Sequence, residues 1–287
     1  MFEQVTAAID GSPASFRAAA LGAEVAAAEG GSLELVAVAP PRTDLATRLG
    51  ITGAEPETEH ERRLADLRSA ETVISRNVPL RRAEVVDGPV VESILGRCER
   101  GREGRLICVG SGKHRLKLGS VSAAVLRESD CPVLVVREGS SRGPLLQRLL
   151  VGFDGTPGSL QAVDAAADLS AHTGAEVHLV WVLRPSFPMP PQGLPLSGAE
   201  VQQLAGEPEV REMQEAARRI TDAGGKVARK TFELGKAGDR ILALGDAWDV
   251  DLIVIGARGR TPARRRFIGG VSDRVAARSM RPVLVVK

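Results

Sequence analysis

The sequence is poor in aromatic residues, which make up 3% of its 287 residues and include no tyrosine. Such a chain fills its core with Ala, Val, Leu and Ile, and it lacks the aromatic platforms on which proteins stack single-stranded nucleic acid. Apolar residues (43%) and charged residues (26%) occur in ordinary globular proportions, and the formal net charge is +2. The composition therefore excludes a disordered or collagen-like chain, and nothing in it indicates a nucleic-acid partner.

Cysteines and long apolar runs are also scarce. Cys98, Cys108 and Cys131 form no Cys-x-x-Cys pair, so their spacing indicates neither a disulfide framework nor a thiolate metal site. We expect the last two to be core residues. No apolar run approaches the roughly 20 residues of a membrane-spanning helix, and Glu3 and Asp10 lie where a signal peptide would be apolar. We expect a soluble, cytoplasmic protein with no membrane partner.

The sequence repeats itself at about half its length. VTAAIDGSPAS at residues 5–15 matches LLVGFDGTPGS at residues 149–159, which places Asp10 over Asp154. Three further pairs recur in the same order: LELVAV with VHLVWV, LICVG with LIVIG, and CPVLVV with RPVLVV. An internal repeat of this length indicates a duplicated domain.

Each repeat alternates short apolar runs with helical patterns. The runs lack polar alternation, which is typical of strands buried on both faces of a parallel sheet. We therefore predict two tandem doubly wound α/β domains, residues 1–143 and 144–287, with ligands at the carboxyl ends of the strands. The boundary is placed in the segment 139–144, which is rich in Gly and Ser. Five prolines in residues 184–195 indicate a surface loop, with a lid over a ligand as the alternative.

The second domain contains a candidate phosphate site. After the apolar run that ends at Gly256, a second glycine follows at Gly259, and Gly269 and Gly270 stand where a helix begins. Glycines let a backbone approach a ligand closely, and the exposed N–H groups of a helix start favour phosphate. The pattern resembles G-x2-G-x9-G-(S/T) of nucleotide-binding members of the universal stress protein family. Gly270 replaces the hydroxyl residue, which keeps a backbone N–H, and Ser272 lies two residues further on.

The resemblance extends over nearly all of both domains and implies an adenine nucleotide, ATP, as the ligand. In the second domain it implies a site made of Gly152, Asp154, Val182, Gly256, Ala257, Arg258, Gly259, Gly269, Gly270, Val271 and Ser272. By this resemblance Asp154 lies at the adenosine end and Val182 contacts adenine through its backbone. Arg258 is the candidate phosphate partner, whereas residues 264–266, all arginine, are interpreted as a solvated face. Whether Mg²⁺ accompanies the phosphates is left open.

The first domain departs from this pattern. Lys113 stands in place of the second glycine, and five residues separate it from Gly119, so the loop is too short to follow the same path. The corresponding, weaker set of site residues is Asp10, Val38, Gly110, Gly119, Ser120, Val121 and Ser122. Two alternatives remain open: the glycines serve to turn the chain from strand to helix, and Asp10 and Asp154 cap the helices that follow them.

Motifs of dedicated catalysts are not found. Gly235-Lys236 is followed by Ala237, which is no P-loop, and the sequence has neither a dinucleotide G-x-G-x-x-G nor the SGGxDS loop of the related ATP pyrophosphatases. The four histidines lack metal-ligand or triad spacing and are interpreted as surface or capping residues. The resemblance implies an adenine nucleotide alpha hydrolase-like fold and an ATP-binding stress-response sensor or regulator. A ligand-free interaction scaffold is the alternative, and a slow nucleotide hydrolase, for which no base is identifiable, is a third.

The closing strand of each domain bears on assembly. An exposed apolar edge strand seeks a partner, and members of the family pair through this strand. The resemblance therefore implies that residues 132–136 and 282–286 pair within one chain as a pseudo-dimer. A homodimer of tandem chains and an unknown regulatory protein are the further partners considered.

Overall fold

The computed structural model describes residues 1–40, 59–74, 77–97, 104–112, 117–139, 146–185, 198–257 and 269–287. The strands in these ranges are β1 (Gln4–Ile9), β2 (Ser32–Ala39), β3 (Leu80–Asp87), β4 (Arg105–Ser111), β5 (Val133–Arg137), β6 (Arg148–Phe153), β7 (Glu176–Leu183), β8 (Lys226–Leu234), β9 (Leu252–Gly256) and β10 (Val283–Val286). The helices are α1 (Pro13–Ala28), α2 (Glu59–Glu71), α3 (Val90–Leu95), α4 (Ser120–Glu128), α5 (Pro157–Thr173), α6 (Gly198–Leu204), α7 (Glu207–Asp222), α8 (Ala237–Ala247) and α9 (Gly270–Arg278).

The strands form one ten-stranded sheet in the order β3-β2-β1-β4-β5-β10-β9-β6-β7-β8. Strands within each half are parallel, as the unbroken apolar runs predict. Buried residues of α1, α2, α5 and α7 pack on one face of the sheet, and those of α3, α4, α8 and α9 pack on the other. The predicted pair of doubly wound α/β domains is confirmed.

Small residues allow the central helices to lie close to the sheet. Helix α1 buries Ala18, Ala19 and Ala23 completely, and a Cβ on Gly22 would come within 2.8 Å of the Cys108 sulfur. This close packing explains how a chain with few aromatic residues fills its interior, because helix backbone and strand side chains occupy the space that large side chains would otherwise take. The thiol of Cys108 is free, and its burial raises its pKa.

The two halves join through their closing strands, which confirms the intramolecular pseudo-dimer. β5 and β10 are antiparallel, with Leu134 opposite Leu284. A basic side chain at the end of each strand also reaches the last turn of a helix in the other half. Arg137, of which 2% is exposed, donates to the carbonyl of Ala277 in α9, and Lys287 donates to that of Leu126 in α4 at 2.6 Å. Cations at helix carboxyl ends are stabilising, so the join is electrostatic as well as apolar.

Charged residues mark the outer edges of the sheet. β3 carries Arg81 and Arg82, and β8 carries Lys226, Arg229 and Lys230, which disfavours pairing with further strands. Within the described ranges, no helix has the length and apolarity needed to cross a membrane.

One prediction about cysteine is wrong. Cys131, fully buried just before β5, is disulfide-bonded. The sequence did not predict this bond, because the spacing of cysteines along the chain does not report their proximity in the fold. Cys98 lies outside the described residues.

Candidate functional site

The direction of strand order reverses once in each half, and this topology places a crevice at the carboxyl edge of the sheet. β1 and β4 are neighbours, but the chain continues from β1 towards β2 on one side and from β4 towards β5 on the other. β6 and β9 are related in the same way. Such topological switch points are where open α/β sheets bind ligands. Asp10 and Asp154 directly follow β1 and β6, so both aspartates stand at these crevices.

Asp154 organises the turn from β6 into α5. Its Oδ1 accepts hydrogen bonds from the Thr156 N–H at 3.2 Å and the Thr156 hydroxyl at 2.6 Å. Thr156 in turn accepts from the Ser159 N–H at 3.4 Å and is the N-cap of α5. Gly155 has φ +77°, a conformation that favours glycine. The aspartate therefore holds the capping residue in place and is not itself the cap.

Asp10 repeats this arrangement in the first half. Its Oδ1 accepts from the Ser12 N–H at 3.0 Å and the Ser12 hydroxyl at 2.6 Å, and Ser12 caps α1. Burial alone would raise the pKa of Asp10, but hydrogen bonds from Ser12 and Ser15 and the charge of Arg63 outweigh it and lower the pKa. The carboxylate is consequently ionised at neutral pH.

Helix α9 follows β9, one of the two strands at the switch point of the second half. Gly269 is its N-cap and provides no side-chain hydrogen bond. Among the described residues, none accepts a hydrogen bond from the N–H groups of Gly270, Val271 or Ser272, and a Cβ on Gly270 would meet nothing within 4 Å. Unpaired N–H groups at a helix start attract anions. Ser120, Val121 and Ser122 begin α4 in the same way in the first half.

The hydroxyl of Ser272 makes a hydrogen bond within the protein. It donates to the carbonyl of Gly256 at 2.7 Å, and Ser122 donates to Gly110 over the same distance. Both serines are buried. Ser272 therefore ties the helix start to the end of β9, and its hydroxyl does not stand in for the one that Gly270 lacks.

The glycines at the strand ends have a packing role that the sequence did not reveal. A Cβ on Gly256 would overlap the backbone of Gly158 at the start of α5, and a Cβ on Gly110 would overlap Ser15 and its neighbour in α1. Gly152 similarly faces Ile241 of α8, 2.9 Å from where its Cβ would be. These three glycines let helices approach the sheet. Gly269 has φ −63°, so its backbone conformation does not itself require glycine.

Val182 and Val38 lie near the carboxyl ends of β7 and β2, on the strands next to β6 and β1. The pairing of β6 with β7 ends at Phe153 and Trp181, so Val182 lies one residue beyond it. Val38 lies one residue beyond the last pair of β1 and β2. Ala257 is different, because its N–H donates to Val286 at 2.6 Å and its carbonyl accepts from Gly269 at 2.8 Å. Its backbone thus joins the end of β9 to β10 and to the start of α9.

Several predicted features lie outside the described residues. They are Lys113, Arg258, Gly259, the arginines at 264–266 and most of the proline-rich segment.

Besides Arg63, sequence reasoning missed three groups near the crevices and one in the interior. Glu212 of α7 and Trp181 both contact Gly155, and Asp66 of α2 contacts Gly11. No motif marks these residues, since each lies far along the chain from the glycine that it contacts. His178 is 5% exposed, and neither ring nitrogen has a hydrogen-bond partner among the described residues, so a surface or capping role is wrong for it.

The fold defines a tandem protein of two doubly wound α/β domains, and the comparisons with known proteins define its family. The profile of the Universal stress protein family matches residues 1–137 and again residues 146–287. The chain therefore belongs to the universal stress protein family, with two copies of its domain.

Related proteins and structures agree with this assignment. A universal stress protein of Methanocaldococcus jannaschii is 31% identical over 53% of this chain and 87% of its own length. A Mycobacterium tuberculosis universal stress protein is 26% identical over 80% of this chain and 77% of its own. The crystal structure of a universal stress protein from Archaeoglobus fulgidus superposes with a TM-score of 0.70 at 24% identity, covering 99% of this chain and 98% of that one. This last likeness shows the fold.

Proposed function

We propose that the chain binds one adenine nucleotide, ATP, in the crevice of its second half and acts as a sensor or regulator without dedicated catalysis. The observation that carries the proposal is the start of α9, the helix that follows β9, whose N–H groups at Gly270, Val271 and Ser272 are unpaired among the described residues. Phosphates satisfy such groups. Val182, beyond the end of β6, supports placing the adenine at the other end of the crevice.

The family supports the ligand class, and the sequence of the glycine loop supports the choice of the second half. No cluster of His, Cys, Asp and Glu suited to a metal occurs within the described ranges, so the proposal assigns no protein ligands to Mg²⁺. A cytoplasmic location belongs to the same proposal, because that compartment holds the nucleotide pool to be sensed. The homodimer of tandem chains and the regulatory partner remain part of the proposal as well.

Calorimetric titration with ATP tests the proposal. Gly269→Glu puts a carboxylate at the start of α9, where it would meet the phosphates, so we expect it to abolish binding. Gly119→Glu makes the same change at the start of α4 and is the matched control, expected to leave binding intact.

Arg258→Ala should weaken the binding of ATP at least about tenfold and the binding of adenosine less, since a charged hydrogen bond to phosphate is lost. Absence of heat, with no nucleotide released from the purified protein by acid, would favour the ligand-free scaffold.

A further inference from the structure

An acidic side chain lies against the turn glycine of each crevice. Gly11 and Gly155 are the glycines that follow Asp10 and Asp154. A Cβ on Gly11 would overlap the carboxylate of Asp66, and one on Gly155 would overlap the carboxylate of Glu212. Both acids project from the helix on the same face of the sheet, α2 in the first half and α7 in the second. The two halves therefore place a carboxylate at the same point, beside the first-strand aspartate.

In the first half, the carboxylate of Asp66 accepts a hydrogen bond from a side chain of the protein. Arg63, one turn before Asp66 on α2, donates through Nη1 to Asp66 at 3.1 Å and to the backbone carbonyl of Asp10 at 2.9 Å. Its Nη2 pairs with Glu59 at 2.7 Å. The side chain of Arg63 is 19% exposed. The guanidinium thus fills the space beside Asp10 and neutralises the acid at that end of the crevice.

The second half lacks this arginine. The residue three positions before Glu212 is Glu209, so the donor of the first half is replaced by a second acid. Within the described part of the chain, the carboxylate of Glu212 takes part in no hydrogen bond or ion pair. The adjacent wall is apolar, because the Trp181 ring comes 3.1 Å from the point where a Gly155 Cβ would lie. An acceptor beside an apolar wall and next to Asp154 suits a ligand that carries neutral hydroxyl donors.

We propose that Glu212 accepts hydrogen bonds from the ribose hydroxyls of the nucleotide and makes the site selective for nucleotides whose 2′ and 3′ hydroxyls are free. This inference rests on the proposed function and adds a specificity-determining residue to it. Carboxylates play the same part for the ribose in dinucleotide-binding folds, where they disfavour a 2′-phosphate by charge repulsion. In the first half, Arg63 already occupies the corresponding space, so ribose has no place beside Asp10.

Competition binding with four nucleotides tests the assignment: ATP, 2′-deoxy-ATP, 3′-deoxy-ATP and inosine triphosphate. Glu212→Ala removes the acceptor from an exposed helical position, and Glu215→Ala, on the same helix and paired with Arg218, is the matched control. We expect Glu212→Ala to weaken ATP at least about tenfold, as the loss of a hydrogen bond to a charged group predicts. Glu215→Ala should stay within about twofold of the unmodified chain.

The analogues separate the ribose from the base. The unmodified chain should bind ATP at least about tenfold more tightly than it binds whichever of the two deoxy analogues binds more weakly. In Glu212→Ala this difference in affinity should fall to about twofold. The penalty for inosine triphosphate should be the same in both proteins, because Glu212 is not assigned to the adenine amino group. ATP affinity unchanged in Glu212→Ala, an undiminished deoxy preference, or a change confined to inosine triphosphate would each overturn the inference while leaving the proposed function in place. If the unmodified chain binds no ATP, the proposed function fails and this inference fails with it.

Discussion

The two halves share the parts that build the fold and differ in the parts that would meet a ligand. Asp10 and Asp154 hold the same turn, and Ser122 and Ser272 make the same buried hydrogen bond. In contrast, an arginine fills the space beside Asp10, whereas the corresponding helix of the second half presents Glu212. Duplication has thus kept the turns, helix starts and close packing that stability requires, while the side chains lining the crevices have diverged.

The largest effect should follow from separating the halves. Residues 1–143 alone would expose β5, whose strand residues are all buried in the full chain. An exposed apolar edge recruits another copy, so we expect a dimer or an insoluble product. Sedimentation of the expressed fragment checks this, and a well-behaved monomer would show that the pairing of halves is dispensable.

The next largest loss of stability should follow from substituting the glycines at the strand ends, which pack against helices in the same way in both halves. Gly256→Ala and Gly110→Ala each push a methyl group into a helix backbone, and we expect each to lower the free energy of unfolding by about 3 kcal/mol. Gly270→Ala is the control, since its Cβ would meet open space. Urea denaturation measures all three. A tolerated Gly256→Ala would show that this glycine serves the ligand and not the fold.

The basic residues that reach across the pseudo-dimer should contribute less. Arg137→Met removes a buried charged hydrogen bond to the end of α9 and should cost about 2 kcal/mol. Lys287→Met acts on the end of α4 at a more exposed position and should cost about 1 kcal/mol. If both substitutions lowered the stability by the same amount, the greater burial of Arg137 would not strengthen its contact.

The smallest effect on stability should come from His178. The corresponding residue of the first half is Glu34. The His178 ring packs 5.3 Å from that of Trp248, over which Arg229 also lies. Burial lowers the pKa of His178, Arg229 and Arg148 lower it further, and Glu176 partly opposes them. Because the unfolded chain then binds the proton more tightly, stability should fall as the pH drops below about 6.5. Thermal unfolding measured from pH 5 to pH 7 should show that the stability of His178→Leu depends less on pH than that of the unmodified chain. An unchanged pH dependence would argue against a buried neutral imidazole.

Features encoded locally were predictable, and contacts between distant segments were not. The repeats and apolar runs predicted the parallel strands of both halves, and the Asp-Gly-Ser and Asp-Gly-Thr turns carry their own hydrogen-bonding pattern. The packing role of Gly256 was not predictable, because a glycine required by a helix backbone and one required by a ligand look alike in a sequence. Arg63 and His178 were not predicted, because only the fold brings Arg63 to Asp10 and buries His178 with no hydrogen-bond partner in the described part of the chain.

Native mass spectrometry with ATP tests most directly the claim that one fold, duplicated, provides one nucleotide site. The account predicts one ATP per chain, lost in Gly269→Glu and retained in Gly119→Glu. Two ATP molecules bound with equal affinity, or one that is lost only in Gly119→Glu, would contradict it.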